Sequence, residues 1–335
     1  AIGVLIATPL MCVFFATPRH FWHNRRYTVG APLVVSSLVV VTVFVLASNN
    51  EQRKLEDHFG QQAELITASI ETNLTSLAYN LATLRGLFIA SDQVTRSEFA
   101  AYVKNVIPGI KGVKGVSWNK HIRHEDRAAF EQEMRAQGYE NFQIREKTGA
   151  NTYQVASIRT EYTVITYVEP WQENQTLVGI DVGIESARAA AQIRARDTGN
   201  LAMTAPLQLL NDARSTRGII VFYPVYNGVD NLSTAAERQQ ALEGYATAIV
   251  RINELIPPAL SGFIAGDFEI NITDITDTAN PVVFFTSLSE ESSAYARTLE
   301  IKTELSFGGR RLLVSIIPSE NFLLEHRSLQ SWFVL

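Results

Sequence analysis

Apolar residues in this chain form two long uncharged runs, then a helical stripe, then short alternating segments. Residues 1–17 and 27–48 contain no charged side chain, and the second run is rich in Val and Leu. About 20 consecutive apolar residues are enough to cross the hydrocarbon core of a membrane. The pattern therefore predicts the end of one transmembrane helix at 1–18 and a complete transmembrane helix at 27–48.

A short basic loop separates the two runs. Residues 19–26 hold three arginines, and Lys and Arg in short loops mark the cytoplasmic side of a membrane. The helix at 27–48 is then expected to run outward, which places residues of about 49–326 outside the cytoplasm. The stretch SLQSWFVL after Arg327 predicts the start of a returning transmembrane helix at 327–335. The chain is therefore expected to be a multi-pass piece of a longer protein in contact with membrane lipid.

A regular apolar stripe follows the second run. Within residues 49–92 apolar side chains recur every three or four positions, as along one face of an α-helix. This spacing fits the seam of a coiled coil in a homodimer. It fits equally well a stalk helix that packs along its own domain, and both alternatives stay open at this point. The central members of the stripe are Ile66, Ile70, Leu74, Leu77, Leu81 and Leu84.

Beyond the stripe, the chain alternates between strand-like and helix-like segments. Strand patterns at 113–122, 162–169 and 218–225 form a first set, and a shorter second set follows the polar insert near residue 240. The order lacks the regular strand–helix alternation of a parallel sheet, which favours the α+β class. We expect two α/β lobes, at 93–243 and 244–326.

Composition narrows the function. Lys and Arg number 29 against 34 Asp and Glu, a net charge of −5, and no basic stripe indicates a nucleic-acid partner. A single cysteine excludes a disulfide framework and a multi-cysteine zinc site. The chain shows no phosphate-binding loop, nucleophile elbow or dinucleotide fingerprint. We therefore expect no catalytic site, no metal site and no cofactor in this part of the protein.

Several stretches, taken in order and spacing, resemble the CHASE domain. This is the extracytoplasmic sensor of plant cytokinin receptor kinases and of many bacterial transmembrane signalling proteins. The N-terminal runs are similar to the last helices of a MASE-type membrane module. The stretches that carry the CHASE resemblance are residues 85–103, 108–122, 125–131, 162–170, 174–182, 195–210 and 222–226.

The resemblance implies a long stalk helix followed by two stacked PAS-like lobes, flanked by transmembrane helices. It implies a small-molecule ligand, of the adenine or cytokinin type, in the first and membrane-distal lobe. It also implies a cytoplasmic output domain, either a histidine kinase or a diguanylate cyclase, outside this chain. The single cysteine and the membrane layout favour the inner membrane of a bacterium.

The same resemblance points to ligand-contact residues. Glu169 lies at or beside the acidic position of the family, with Pro170 in the aligned place, and Thr204 lies in the threonine-proline loop. Aromatic residues on the strands are expected to form the walls of the pocket, although such residues are also ordinary core. The aromatic candidates are Trp118, Tyr162, Tyr167 and Tyr223.

One further carboxylate stands out. Asp181 lies inside an apolar strand-like segment, where a lone charge needs a partner. Arg188, Arg194 and Arg196 follow closely in sequence, so a structural salt bridge is favoured over a ligand contact.

A second function is compatible with the same pattern. The module could serve as an interaction domain for a periplasmic protein or peptide and bind no small molecule. An open cavity in the first lobe favours the small-molecule sensor, whereas a collapsed cavity with an exposed apolar patch favours the protein partner.

Overall fold

The computed structural model describes residues 25–91, 93–106, 112–149, 152–210, 217–228, 232–263, 266–288 and 293–326. The predicted transmembrane segments at 1–18 and 327–335, and most of the basic loop, lie outside these residues. Within them the chain forms a long helix followed by two antiparallel sheets with short helices packed on them. This is the α+β architecture with two successive lobes that the sequence predicts.

The helices are α1 (Arg25–Ile89), α2 (Arg96–Val106), α3 (Arg127–Ala136), α4 (Trp171–Asn174), α5 (Ser186–Thr198), α6 (Ala235–Ala241), α7 (Ile252–Ala259), α8 (Ala294–Thr298) and α9 (Glu320–His326). The strands are β1 (Val113–Arg123), β2 (Arg145–Lys147), β3 (Tyr153–Val155), β4 (Glu161–Glu169), β5 (Ala202–Met203), β6 (Leu207–Gln208), β7 (Arg217–Tyr226), β8 (Leu242–Arg251), β9 (Phe268–Asp274), β10 (Val282–Thr286), β11 (Ile301–Phe307) and β12 (Arg310–Pro318).

The helix α1 joins the apolar run at 27–48 and the stalk into one element of 65 residues. The part of α1 from Val34 to Ile89 contains an 18-residue window with a mean hydropathy of 1.6, and none of that window is buried against the rest of the chain. Side chains such as Leu38 and Leu46 are exposed. By length and composition, α1 is the one helix of the described residues that is able to cross a membrane.

The apolar stripe of α1 packs on the chain's own lobes. Ile66, Ile70, Leu74, Leu77, Leu81 and Leu84 are each at most 3% exposed in the single chain. They belong to one core cluster with residues of both sheets, such as Val221 and Ile272. The stripe is therefore not a homodimer seam, because these side chains are already covered by the same chain. The alternative of a stalk helix that packs along its own domain is what the structure shows.

The first sheet has the strand order β4-β1-β8-β7-β5, with β6 beside β7. All of these pairings are antiparallel. The predicted boundary between the lobes at 243/244 is wrong, because β8 lies in the middle of the first sheet, between β1 and β7. Its alternating pattern identified a strand, but the pairing partners of that strand are set only by the tertiary fold. The first lobe therefore continues through Arg251.

The second sheet has the strand order β10-β9-β12-β11. Its β11–β12 hairpin turns at Gly308 and Gly309, whose φ angles of 57° and 70° are the left-handed pair that a tight two-residue hairpin needs. The backbone N–H of Met203 donates to the carbonyl oxygen of Gly308 at 2.9 Å, so this turn touches the first lobe.

The stalk helix connects both lobes along its length. Near its lower end the ring of Phe59 contacts that of Phe322, with centroids 6.0 Å apart, and Ser69 Oγ donates to the carbonyl oxygen of Ala259 at 2.6 Å. Near its upper end Arg85 Nε donates to the carbonyl oxygen of Pro224 in the first sheet at 2.9 Å. Packed side chains and hydrogen bonds therefore connect both lobes to α1.

Candidate functional site: an enclosed pocket on the first sheet

The two faces of β1 have different chemistry. Val116 and Trp118 point toward α1 and belong to the core that the stalk helix shares with both sheets. The alternate residues Ser117 and Asn119 point to the opposite face, because successive side chains of a strand alternate. One strand therefore contacts the stalk helix on one side and a polar interior on the other.

Three buried polar side chains form a hydrogen-bonded row on that opposite face. Ser117 Oγ donates to Asn119 Oδ1 at 2.9 Å, and Asn119 Nδ2 donates to Thr247 Oγ1 on the neighbouring strand β8 at 3.1 Å. Thr247 Oγ1 in turn donates to the carbonyl oxygen of Tyr245 at 3.3 Å. We call Ser117, Asn119 and Thr247 the polar row. Their mutual bonds satisfy groups that would otherwise be costly to bury, and they hold these groups in fixed orientations.

A small cavity lies over the polar row, between the first sheet and the start of α5. Its volume is about 30 Å³, which is room for about two water molecules. We call it the sheet pocket. Its lining consists of the polar row together with Lys114, Ile165, Val168, Asn174, Leu177, Val182, Arg188, Leu209, Leu210, Ile220, Phe222 and Ile249. An apolar wall with a few oriented polar groups is typical of small-molecule sites.

Two cations line the sheet pocket. Lys114 Nζ donates to the carbonyl oxygen of Leu210 at 3.0 Å. Arg188, in the first turn of α5, is only 5% exposed. Its Nη1 lies 3.3 Å from Glu185 Oε2, and its Nη2 donates to the carbonyl oxygen of Gln208 at 3.4 Å. Its Nε is buried and has no hydrogen-bond partner among the described residues. Burial lowers the pKa of the Arg188 guanidinium from its usual value.

A second and much larger cavity is an open cleft at the upper end of α1. It has a volume of about 1380 Å³ and is bounded by α2, α3 and strands β1 and β4. Its wall includes Arg96, whose guanidinium lies 3.5 Å from the ring centroid of Trp171. Trp118 and Tyr167 line it from the sheet side. The cleft is broad and open to solvent, in contrast to the sheet pocket.

Of the six residues predicted to contact a ligand, the structure brings Trp118 and Tyr167 together. They are paired across β1 and β4 and both line the cleft. Trp118 stacks on Phe88, and Tyr167 contacts the ring of Phe99 at 5.7 Å. Burial raises the pKa of the Tyr167 hydroxyl to about 12.

The other four predicted residues lie apart from this pair. Glu169 Oε2 accepts from the backbone N–H of Trp171 at 2.9 Å, just beyond the cis bond to Pro170. Buried Thr204 Oγ1 accepts from the backbone N–H of Ile220 at 3.1 Å. These two polar groups are therefore engaged in holding the backbone.

The remaining two are aromatic. Tyr162 is buried, and its hydroxyl donates to the carbonyl oxygen of Ser157 at 3.2 Å and accepts from the backbone N–H of Arg159 at 3.1 Å. Tyr223 packs beside the core along α1, under the guanidinium of Arg85. The residues that line the sheet pocket were missed because three of them, Ser117, Asn119 and Thr247, are short polar residues in strand patterns. Their inward orientation becomes visible only when the opposite face is known to be buried.

The expected salt bridge of Asp181 exists, but its partner is Arg159. Arg159 Nη1 lies 2.9 Å from Asp181 Oδ2, and its Nη2 bonds to Glu146. The backbone N–H groups of Thr163 and Gly183 also donate to Asp181 Oδ1. Asp181 therefore forms its salt bridge without Arg188. Arg188 lies instead at the sheet pocket.

The chain thus combines a long helix packed along two antiparallel sheets with a small pocket in the first of them. The model of the CHASE domain family matches residues 92–285, which is more than half of the chain. The chain belongs to the CHASE domain family. The resemblance found in the sequence is thereby confirmed, and sensor domains of this family are the extracytoplasmic parts of membrane receptors.

One curated relative is "Hybrid signal transduction histidine kinase A" of Dictyostelium discoideum. It is 20% identical over 94% of this chain, and the chain spans 16% of the length of that kinase. Among solved structures, the chain is similar to an extracellular ligand-binding receptor from Desulfohalobium retbaense, with a TM-score of 0.44 and 11% identity over 77% of this chain and 40% of that one. It is also similar to the ligand-binding domain of an amino-acid chemoreceptor of Pseudomonas aeruginosa in complex with L-Arg, with a TM-score of 0.44 and 8% identity over 80% of this chain and 97% of that one.

Proposed function

We propose that this chain is the ligand-sensing and membrane-anchoring part of a transmembrane receptor, and that a small molecule binds in the sheet pocket. One observation carries the proposal. Neighbouring residues of β1 contact the pocket and the stalk helix, since Ser117 and Asn119 line the pocket while Trp118 between them stacks on Phe88 of α1. A ligand that displaces β1 therefore displaces the top of the stalk helix.

The mechanism follows from the connection between pocket and stalk. The pocket has a volume of about 30 Å³, so a ligand larger than water stabilises a state in which the pocket is wider. In that state the first sheet shifts against α1, and the shift passes along the continuous helix toward its apolar end. The ligand drives this change only by the difference between its affinities for the two states.

The membrane arrangement is the second part of the proposal. The exposed apolar part of α1 crosses the membrane at about 27–48, the basic loop at 19–26 is cytoplasmic, and residues of about 49–326 are extracytoplasmic. The returning helix expected at 327–335, and with it a multi-pass topology in the inner membrane of a bacterium, stay predictions from the sequence. The exposed apolar side chains of α1 support the crossing. Homodimer formation stays a prediction, and it needs a surface other than the buried stripe.

The output domain lies outside this chain. The sequence left a histidine kinase and a diguanylate cyclase open. The curated relative is a hybrid histidine kinase, which supports the kinase as the output of this receptor.

The ligand class implied by the family resemblance was an adenine-type or cytokinin-like molecule bound by Glu169. The carboxylate of Glu169 instead accepts from the Trp171 backbone. A cytokinin is therefore kept as one arm of the ligand screen, without Glu169 as its anchor.

A second candidate function is recognition of a periplasmic protein or peptide. The open cleft at the upper end of α1 favours it, because its size and its Arg96–Trp171 stack suit a partner that needs no enclosure. The substitution Arg96→Ala should weaken the binding of such a partner and leave the binding of a ligand in the sheet pocket unchanged.

The test is a thermal-unfolding screen of the full chain in nanodiscs, followed by tryptophan fluorescence, against cytokinins and a broad metabolite set. A ligand at 100 times its dissociation constant should stabilise the domain by about 2.7 kcal/mol. The variant Thr247→Val, which removes a hydroxyl of the polar row, should reduce the shift. Arg96→Ala is the matched control at the cleft and should retain it. No shift from any compound, or a shift abolished only by Arg96→Ala, would contradict a ligand site in the sheet pocket.

A further inference from the structure

The charges around the sheet pocket are one-sided. Among the described residues that line it, Lys114 and Arg188 are cationic and none is an Asp or Glu. Most of the remaining wall is hydrocarbon. Its apolar members are Ile165, Val168, Leu177, Val182, Leu209, Leu210, Ile220, Phe222 and Ile249. Such a wall favours a ligand with an apolar body and a negative charge, because a buried cation in apolar surroundings is stabilised by a nearby anion.

Arg188 is the stronger of the two cations for this role. Its side chain is 6% exposed, and its only described ionic partner is Glu185, whose own side chain is 42% exposed at the edge of the lobe. Arg159, elsewhere in the same lobe, has a more exposed side chain, yet it bonds to two carboxylates, those of Glu146 and Asp181. The more deeply buried arginine thus has the weaker set of partners.

The guanidinium of Arg188 also has unused donor capacity. Its Nε is buried without a hydrogen-bond partner in the described part of the chain, and the bond from Nη2 to the Gln208 carbonyl is long at 3.4 Å. A guanidinium presents its N–H groups as a planar fork that matches the two oxygens of a carboxylate. A buried unpaired donor costs free energy, and a carboxylate at this place removes that cost.

We propose that the sheet pocket binds a small organic carboxylate with a hydrocarbon body, and that Arg188 holds the carboxylate. This inference rests on the proposed function, because it specifies the ligand class of the same pocket. Lys114 adds a second positive charge, the apolar wall contains the hydrocarbon part, and the polar row receives any further polar group of the ligand. A neutral purine is disfavoured, since it offers no negative charge to the Arg188 guanidinium.

Glu185 acts as the internal competitor of the ligand. Its Oε2 is a buried atom without a hydrogen-bond partner in the described part of the chain, and it lies 3.3 Å from Arg188 Nη1. When a ligand carboxylate binds, Arg188 exchanges part of this contact for one with the ligand in the sheet pocket. Removing the charge of Glu185 should therefore tighten the binding of an anion.

The test is isothermal titration calorimetry on the full chain in phosphatidylcholine nanodiscs. The probes are straight and branched monocarboxylates of two to six carbons, such as 3-methylbutanoate, each paired with its uncharged amide. We expect at least one acid to bind and its amide to bind at least 10-fold more weakly. Arg188→Gln should weaken binding of the acid by roughly 10- to 100-fold, as expected for the loss of a charged hydrogen-bonding group. Arg188→Lys should restore part of the affinity.

Two further variants separate a ligand contact from a structural role. Glu185→Gln should tighten acid binding several-fold, a result that a purely structural Arg188 does not produce. Arg123→Gln, at an exposed arginine of the same lobe, should leave binding unchanged. If Arg188→Gln does not fold, the comparison of acid with amide and the effect of Glu185→Gln still decide the matter.

The outcomes distinguish this inference from the proposed function. Binding of the amides as tightly as the acids, or a neutral metabolite whose affinity survives Arg188→Gln, overturns the carboxylate class while the sensor function stands. Failure of every acid, amide, cytokinin and metabolite to bind overturns both. Acid binding that Glu185→Gln weakens also overturns the assignment of Arg188 as the anion-binding group.

Discussion

The indole ring of Trp118 stacks on the phenyl ring of Phe88, with centroids 3.9 Å apart and planes inclined by 16°. Phe88 is in the last turn of the stalk helix, and Trp118 is in the central part of β1. The residues on either side of Trp118 line the enclosed pocket of the first lobe. This single contact therefore joins the top of the helix that leads to the membrane with the strand that forms the floor of the pocket.

Replacing Phe88 with Ala tests the strength of that contact. The variant loses the stacked ring and leaves a gap beside Trp118, so we expect the free energy of unfolding to fall by about 2 to 4 kcal/mol. The emission of Trp118 should shift to longer wavelength as its ring becomes more hydrated. Urea unfolding in detergent, followed by tryptophan fluorescence, measures both effects. Tyr79→Ala on the same helix, at a side chain that is 71% exposed, is the control and should change stability by less than about 0.5 kcal/mol.

A substitution in the apolar stripe separates packing within the chain from a dimer seam. Leu74 is buried against the lobes of its own chain, so Leu74→Ala should lower the free energy of unfolding by about 2 to 5 kcal/mol at any protein concentration. Leu65→Ala, at a stalk leucine that is 56% exposed, should have little effect. Light scattering measures the oligomeric state, and urea unfolding measures the free energy of unfolding. Dissociation of an oligomer by Leu74→Ala without a loss of domain stability would speak for a seam.

The ion pair of Glu146 with Arg159 predicts a dependence of stability on pH. The hydrogen bond from Arg159 is the largest cause that lowers the pKa of Glu146 from 4.5 to about 2. A carboxyl whose pKa is lowered on folding stabilises the protein above the pKa of the unfolded state, and it loses this contribution as the pH falls through the pKa of the folded state. The stabilisation by Glu146 is therefore present above about pH 4.5 and is lost toward pH 2.

The variant Glu146→Gln tests this dependence. It should be less stable than the wild-type chain at pH 6, and the difference should shrink as the pH falls from about 4.5 toward 2, because the wild-type side chain then becomes neutral as well. Urea unfolding at a series of pH values measures the difference. Glu140→Gln, at an exposed position of the same lobe, should keep the wild-type profile. A difference that stays constant over this range would contradict the assignment.

Alanine substitutions at two glycines should change the free energy of unfolding in opposite directions. A Cβ at Gly244 would clash with the carbonyl oxygen of Asn119 and lie 2.9 Å from the Trp118 ring, so Gly244→Ala forces β8 away from β1. We expect a loss of about 1 to 3 kcal/mol or more, as for overpacking of a core. Gly86 in α1 has no atom within 4 Å of its added Cβ, so Gly86→Ala should stabilise the helix by about 0.5 to 1 kcal/mol. Thermal unfolding of the two variants side by side provides the measurement.

Local sequence patterns were sufficient to predict the main helices and strands and to recognise the family. The three- and four-residue spacing that includes Leu74 and Leu81 defines one face of a helix whatever covers it, and the uncharged residues 27–48 define an apolar helix by length alone. The alternation in β1 and β7 likewise defines strands. The spaced stretches of the resemblance then led to the CHASE family, which the family match at residues 92–285 confirmed.

The site was predicted less well, and the reason is geometric. Thr204 and Glu169 were predicted from their places in the family resemblance, but their side chains bond to backbone N–H groups. Arg188, Arg194 and Arg196 were the expected partners of Asp181 because they are near it in sequence. The partner is instead Arg159, which precedes Asp181 by 22 residues. Hydrogen-bond partners of this kind depend on which segments meet in space.

The sequence by itself determined the apolar helix, the stalk stripe, the strands and the family, because these depend on periodicity and on residues close together along the chain. The tertiary structure alone decided that β8 belongs to the first sheet, that the stripe is covered by the lobes of its own chain, and that Arg188 lies at an enclosed pocket. Each of these depends on contacts between residues far apart in sequence. The face of Leu74 is set by the helix period, but what lies against that face is set by the packing of the whole chain.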